Sequence, residues 1–348
     1  MSLLNSVLDN TEIGLSTPIA PINNIALPEF EVKHHYGLTS ARLAPDCTIV
    51  PTDEQWLVAA NLDWTIDSVE ENYFHNGVMH TSADKINVRS DTSEKLGNSS
   101  AKYKIVQPAE IVHFFRDLSD HYGATLKQVG YADGGKRVYA YAQVGTEFEI
   151  GKGDRTLSHL LLLSSSDGST ATIAQPFFES LYCFNQLPAA RRLIEPVKIR
   201  HNTVFDPRQV KLNMGLYGEA QDKMRESLIN MSRKSVTNHE ALSLLYNCLK
   251  VADDITEESK RNINRVISVY DKFKGDGIAA NEPGRKGTIW GVLNAITEFT
   301  DHDQCNSENS RWKSKTTGEG AKLKAASFNY LDTICQEKVE LELIELPA

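Results

Sequence analysis

The stretch Tyr131-Ala132-Asp133-Gly134-Gly135-Lys136-Arg137-Val138-Tyr139-Ala140-Tyr141-Ala142-Gln143-Val144 decides the fold class. Its period is two: Val138, Ala140, Ala142 and Val144 fall on one side of a strand, and Tyr139 and Tyr141 on the other. Asp133-Gly134-Gly135 supplies residues that accept positive φ, so this strand is the second arm of a tight hairpin within 125–150. Gly151-Lys152-Gly153-Asp154 turns the chain into another strand at 155–164, and Asp167-Gly168 turns it back into 170–174. A last strand over 197–205 ends at Asp206-Pro207, an N-cap followed by proline at the first helical position. The centre of the chain therefore reads as a largely antiparallel sheet.

Outward from that centre the patterns change. Upstream, Pro108 opens an amphipathic helix to Tyr122, with Ile111, Phe114, Phe115 and Leu118 on one side and Gly123 as its stop. A shorter helix is expected at 53–60, capped by Thr52 or Asp53, and Pro18, Pro21 and Pro28 mark residues 1–50 as an extended arm. Downstream of 206 the period becomes helical: Val210, Met214, Tyr217, Met224, Leu228 and Met231 line one face. Thr237-Asn238-His239-Glu240 has the form of a capping box, and Ile289, Val292, Leu293 and Ile296 make a further stripe. Residues 275–287 and 301–317 read as loops. The expected class is α+β, a central largely antiparallel sheet with a helical carboxy-terminal half. It divides into an arm (1–50), a sheet region (51–206), a helical region packed on the sheet (207–334) and an acidic tail (335–348).

Bulk composition narrows the setting. The 348 residues carry a net charge of −9, and residues 1–100 hold all of the excess, with 5 Lys/Arg against 14 Asp/Glu. The longest aliphatic run is Leu160 to Leu163, far short of a membrane span, and the first residues lack the basic-then-apolar order of a signal peptide. Cys47, Cys183, Cys248, Cys305 and Cys335 contain no CxxC pair, which fits reduced thiols in a cytoplasm. No HxH or HExxH spacing occurs, Lys152 is followed by glycine instead of the serine or threonine of a phosphate loop, and no GxSxG elbow is present. No catalytic residue, metal site or cofactor is expected.

What remains is a set of cations interleaved with aromatics. Lys152, Arg155, Arg191, Arg192, Lys198 and Arg200 lie in or beside the sheet region, with Tyr139 and Tyr141 among them, and Arg285 and Lys286 occupy the Gly/Pro-rich loop. Phosphates are held by cations and bases by stacking, so this composition suits a sequence-tolerant binder of single strands. A second basic cluster, Arg311-Trp312-Lys313-Ser314-Lys315, has an aromatic at its centre. Scattered surface charge around core aromatics would produce the same residues.

Four motifs carry a family resemblance: Leu163-Ser164-Ser165-Ser166-Asp167-Gly168-Ser169, Cys183-Phe184-Asn185-Gln186-Leu187, Ile199-Arg200-His201 and Gly291 to Phe299 with Asn294 inside it. In their order and spacing they resemble a phage/plasmid-like protein family catalogued as a domain of unknown function, over residues 50–305. The chain departs from that pattern at Ser166, where histidine commonly precedes Asp167, and at Tyr182, where a basic residue commonly precedes the cysteine. Asp167, Gly168, Cys183, Asn185, His201 and Asn294 are the positions that match. The resemblance implies a mobile-element setting among DNA-processing and anti-restriction genes, and at fold level a likeness to single-strand annealing proteins. The expected function is thus binding of single-stranded DNA, with annealing or recombination by a homo-oligomer. Two other classes compete: an effector whose acidic first hundred residues grip a host defence or replication protein, and a metal-dependent nuclease.

Overall fold

The computed structural model describes residues 27–35, 37–180, 186–188, 196–203, 207–249, 257–336 and 343. In chain order the strands are β1 (Phe30–His35), β2 (Leu38–Leu43), β3 (Ile66–His75), β4 (Val78–Arg89), β5 (Lys95–Ser99), β6 (Thr125–Ala132), β7 (Arg137–Gln143), β8 (Phe148–Glu149), β9 (Arg155–Ser165), β10 (Thr172–Ser180), β11 (Gln186–Pro188) and β12 (Val197–Ile199). The helices are α1 (Asp53–Ala59), α2 (Pro108–Tyr122), α3 (Pro207–Arg233), α4 (Asn238–Cys248), α5 (Glu257–Asp271), α6 (Ile289–Glu298), α7 (Glu308–Thr316) and α8 (Glu319–Gln336). The α+β class and the helical carboxy-terminal half are as expected from the sequence.

A large antiparallel sheet runs in the order β1-β2-β6-β7-β9-β10-β11, with β8 paired to β9 and β12 to β10. Tyr139 pairs with Gly130 on one side and Leu163 on the other, so β7 is a central strand buried on both faces. Its inner face, Val138, Ala140 and Ala142, packs with Phe114, Phe115, Leu118, Leu160 and Leu162 in the main core, which continues through α6 into the helical half. Its outer face carries Tyr139 and Tyr141 with Leu38, Leu161, Leu163, Phe177 and Trp312 in a smaller cluster. The period-two reading of this strand holds residue by residue.

A second sheet, β3-β4-β5, sits at the turn end of the large one. Asn87 Nδ2 donates to Ser166 O at 2.7 Å, and a Cβ on Gly97 would meet the Asp167 backbone at 2.5 Å, so the Asp167-Gly168 turn seats directly on β5. The predicted caps form: Thr52 and Thr237 each close a capping box, and Gly123 ends α2 at φ 65°.

Two expectations need correction. Phe30–His35 and Leu38–Leu43 are extended, as the arm reading has it, but belong to the large sheet as β1 and β2, with β2 paired to β6. Exposure of the edge strand β1 leaves it no clean apolar alternation to read. Residues 301–317 are not a loop either. A π-helical turn, Phe299–Asp303, continues α6, and Ser307 caps α7 by accepting from Ser310 N. Only Trp312 and Thr316 of α7 are buried, a stripe too thin for periodicity to detect. Of the expected acidic tail at 335–348, only residues 335, 336 and 343 are described.

Candidate functional site

Strand alternation builds a floor. Leu38, Ser40 and Arg42 of β2, Gln128 of β6, Tyr139 and Tyr141 of β7, Leu161 of β9 and Phe177 and Glu179 of β10 all lie on the outer face of the large sheet, lining one cavity. Over them stands α7, pinned to the β6–β7 turn by Asn309, whose Oδ1 accepts from Asp133 N at 2.9 Å, and by Lys313, which pairs with Asp133 at 2.7 Å. The pins place Trp312 against the Tyr139 ring, 4.5 Å between centroids. Between floor and wall lies a cavity of about 380 Å³, with Arg311, Lys315 and His302 on the wall and Glu31 and Lys33 at the β1 edge. A second cavity of about 230 Å³ is lined by Thr170, Gln175, Lys198, Thr316 and Lys322. Thr316 borders both, so the two cavities adjoin between the sheet and α7–α8, and together they are called the trough.

The floor is a connected polar network. Gln128 Nε2 donates to Tyr139 Oη at 3.2 Å, and Tyr141 Oη donates to Gln128 Oε1 at 2.7 Å. Arg42 donates to Tyr141 Oη and to Glu179 Oε2, each at 3.3 Å. His159, buried on the same face of the sheet, stacks on Phe177 at 5.0 Å and lies 3.8 Å from Glu179. Burial lowers the His159 pKa to about 4 against the opposing pull of Glu179, so the ring is neutral. Burial likewise pushes the Tyr139 hydroxyl up to about 12 and raises that of Tyr141 well above its ordinary value. Both phenols are therefore fixed hydrogen-bonding groups. Behind the wall Lys324, its pKa lowered by burial, pairs with Asp301 at 2.5 Å.

The residues nominated from sequence scatter. Tyr139 and Tyr141 are in the trough but only their polar tips can serve it: their rings are 1% and 4% exposed, so they are not the open stacking platforms expected. A central strand covered on both faces buries an aromatic whichever way it points. Arg285 is not a loop cation available to phosphate. It is 1% exposed and grips Asp154 through two bonds, Nε to Oδ2 at 2.8 Å and Nη2 to Oδ1 at 2.7 Å, while Nη2 also reaches Ser180 Oγ at 2.6 Å. Trp290 Nε1 adds a bond to the same carboxylate at 2.6 Å. This clasp ties the sheet to α6, and a Cβ on Gly284 would strike Ile150 O at 2.7 Å, so glycine permits the approach. Arg155 is exposed and paired with Glu147. Lys152, Lys198, Arg200 and Lys286 are exposed, and of these Lys198 lines the trough. Arg191, Arg192, Cys183 and Asn185 lie outside the described residues.

The family positions are structural where they are described. Asp167 and Gly168 make the turn on β5. His201 stacks on Tyr103 at 4.4 Å, with its ring nitrogens 3.2 Å from Lys104 O and 3.0 Å from Thr170 O. Asn294, buried in α6, donates to Trp290 O at 3.0 Å. Sequence reasoning missed Lys33, Arg42, Gln128 and Glu179. The Arg311–Lys315 cluster was visible, and its position opposite Tyr139 was not.

Among the described residues, no group of three or more His, Cys, Asp or Glu side chains is placed to hold a metal ion, and no helix is long and apolar enough to cross a membrane. The fold and site define an α+β protein with a charged trough on one face of an antiparallel sheet. The chain belongs to the family described as domain of unknown function DUF932, which matches residues 95–327. No curated protein and no solved structure matches it.

Proposed function

We propose that this protein binds single-stranded nucleic acid along the trough, as a non-enzymatic DNA-metabolism factor of mobile elements. One observation carries the reading: the two cavities are lined by six Lys/Arg (Lys33, Arg42, Arg311, Lys315, Lys198 and Lys322) against four Asp/Glu. Arg42 is paired with Glu179, Arg311 with Glu308 and Lys322 with Glu319, and Asp301 is paired with Lys324 from outside the lining, which leaves Lys33, Lys198 and Lys315 against Glu31. The excess is local to the trough, within the reach of unscreened charge, although the whole chain is acidic. Lys33, Lys198 and Lys315 would hold phosphates, and bases would be met edge-on by Gln128, Arg42 and the tyrosine hydroxyls, because the tyrosine rings are covered.

Fluorescence anisotropy of a labelled single-stranded oligonucleotide tests this. With about three phosphates neutralised, affinity should fall roughly 20-fold between about 50 and 200 mM salt. A duplex of the same length should bind more weakly. Absence of binding at the lower salt would refute the reading.

A further inference from the structure

The strands β3 and β4 continue well beyond the sheet they belong to. β5 pairs only with Lys85 to Val88 of β4, so from Asn72 to Thr81 the two strands have only each other. The ribbon turns at Asn76-Gly77, both at positive φ, with Phe74 paired to Met79 on one face and Tyr73 to His80 on the other. At its tip Phe74 is 76% exposed, Met79 62%, Val78 57% and Tyr73 53%. Among the described residues this part of the ribbon pairs with no further strand; such a ribbon is marginal in water, and its exposed apolar side chains, Phe74 and Met79 on one face and Tyr73 and Val78 on the other, mark a contact surface. Below the tip the shaft is acidic: Asp67, Glu70, Glu71 and Asp84 stand against Lys85 and Arg89 in the same strands, with Arg89 paired to Asp91 and Lys95 of β5 3.8 Å from Glu71.

That combination selects its partner. Acidic flanks repel phosphate, which excludes nucleic acid and anionic lipid, and the apolar tip requires a floor it can bury against, framed by cations. Such a surface exists on this chain. The trough offers the small open edges of Leu38, Leu161, Phe177 and Trp312, each 5–7% exposed, among its polar floor groups, with Lys33, Lys315, Lys198 and Lys322 around them. The tip of a chain's own ribbon is open to solvent, so the trough it meets belongs to another molecule. We infer that the β3–β4 ribbon of one copy docks in the trough of a second copy, a head-to-tail contact between two different surfaces. This uses the charge and floor of the trough, not its nucleic-acid ligand, and it makes the ribbon and a nucleic acid competitors for one site.

Sedimentation velocity of the full chain tests it, with two variants whose changes lie at exposed or half-exposed positions: a tip variant (Phe74→Asp with Met79→Asp) and a trough variant (Lys198→Glu with Lys315→Glu). The wild type should associate with rising concentration, and more weakly in high salt. Each variant alone should associate at least about tenfold more weakly, and an equimolar mixture of the two should regain a one-to-one dimer, because one supplies an intact trough and the other an intact tip. A wild type that stays monomeric, association that survives the tip changes, or a mixture that fails to pair would overturn the inference. Oligonucleotide binding by the tip variant is measured alongside. Its persistence leaves the nucleic-acid reading standing whatever the ribbon does, and its absence counts against that reading alone.

Discussion

The two faces of the large sheet are made by the same strands and have opposite characters. The inner face is closed: Val138, Ala140, Ala142, Leu160 and Leu162 meet the aromatic side of α2, and where charge enters, at Asp154 and Arg285, every bond is made inside the protein. The outer face is half open, with hydroxyl, amide, guanidinium and carboxylate groups facing a cavity under α7. Strand alternation alone sorts residues into these two sets. What differs is the covering, several helices on one side and, on the other, the short α7 with the start of α8. The comparison teaches that stability is concentrated on the inner face, while the outer face holds groups that are ordered but not consumed by packing.

Mutations should divide along the same line. The largest effect is expected from Asp154→Ala, which strands the buried Arg285 guanidinium and should destabilise by about 3–5 kcal/mol, read from the urea midpoint. Leu162→Ala, on the inner face, should cost about 2–5 kcal/mol by leaving a cavity. Equal tolerance of both changes would break the contrast between the faces.

Acid sharpens it at a buried position of the outer face. His159 titrates near 4 when folded and at 6.5 when unfolded, so between those values the unfolded chain binds the extra proton. Stability should be intact above about pH 6.5 and decline as pH falls toward about 4, by roughly 3 kcal/mol. His159→Phe should flatten that window relative to wild type, and an unchanged pH dependence would exclude the histidine as its cause. Smaller still, Tyr141→Phe removes one hydroxyl from the floor network and should cost about 0.5–1.5 kcal/mol. Lys315→Glu on the wall should shift stability by less than about 0.5 kcal/mol while weakening oligonucleotide binding, so that affinity and stability separate on this face.

Much of the fold is legible in the sequence because local chemistry and tertiary position agree there. The β6–β7 hairpin, the capping boxes of α1 and α4, and α2 between Pro108 and Gly123 are all written in their own residues. β1 and β2 are harder, since an edge strand shows water on most of its sides. α7 is harder again: it buries Trp312 and Thr316 and little else, and so has the composition of a loop.

The site was legible only in pieces. Tyr139, Tyr141 and the Arg311–Lys315 run can each be noticed, but they meet across about 170 residues of chain, and spacing carries no record of that contact. Arg285 misleads for a related reason. Its flanks, Gly284 and Lys286, belong to a surface loop, and the carboxylate that claims it lies 131 residues away.

The most direct test of the central claim, that the trough holds nucleic acid, is hydrogen exchange of the full chain with and without a saturating single-stranded oligonucleotide. The account predicts slowed exchange in β2, in α7 and at β12, which border the trough, and no change in the α2 amides behind the inner face. Protection absent from all three trough elements, or confined to segments away from them, would contradict it.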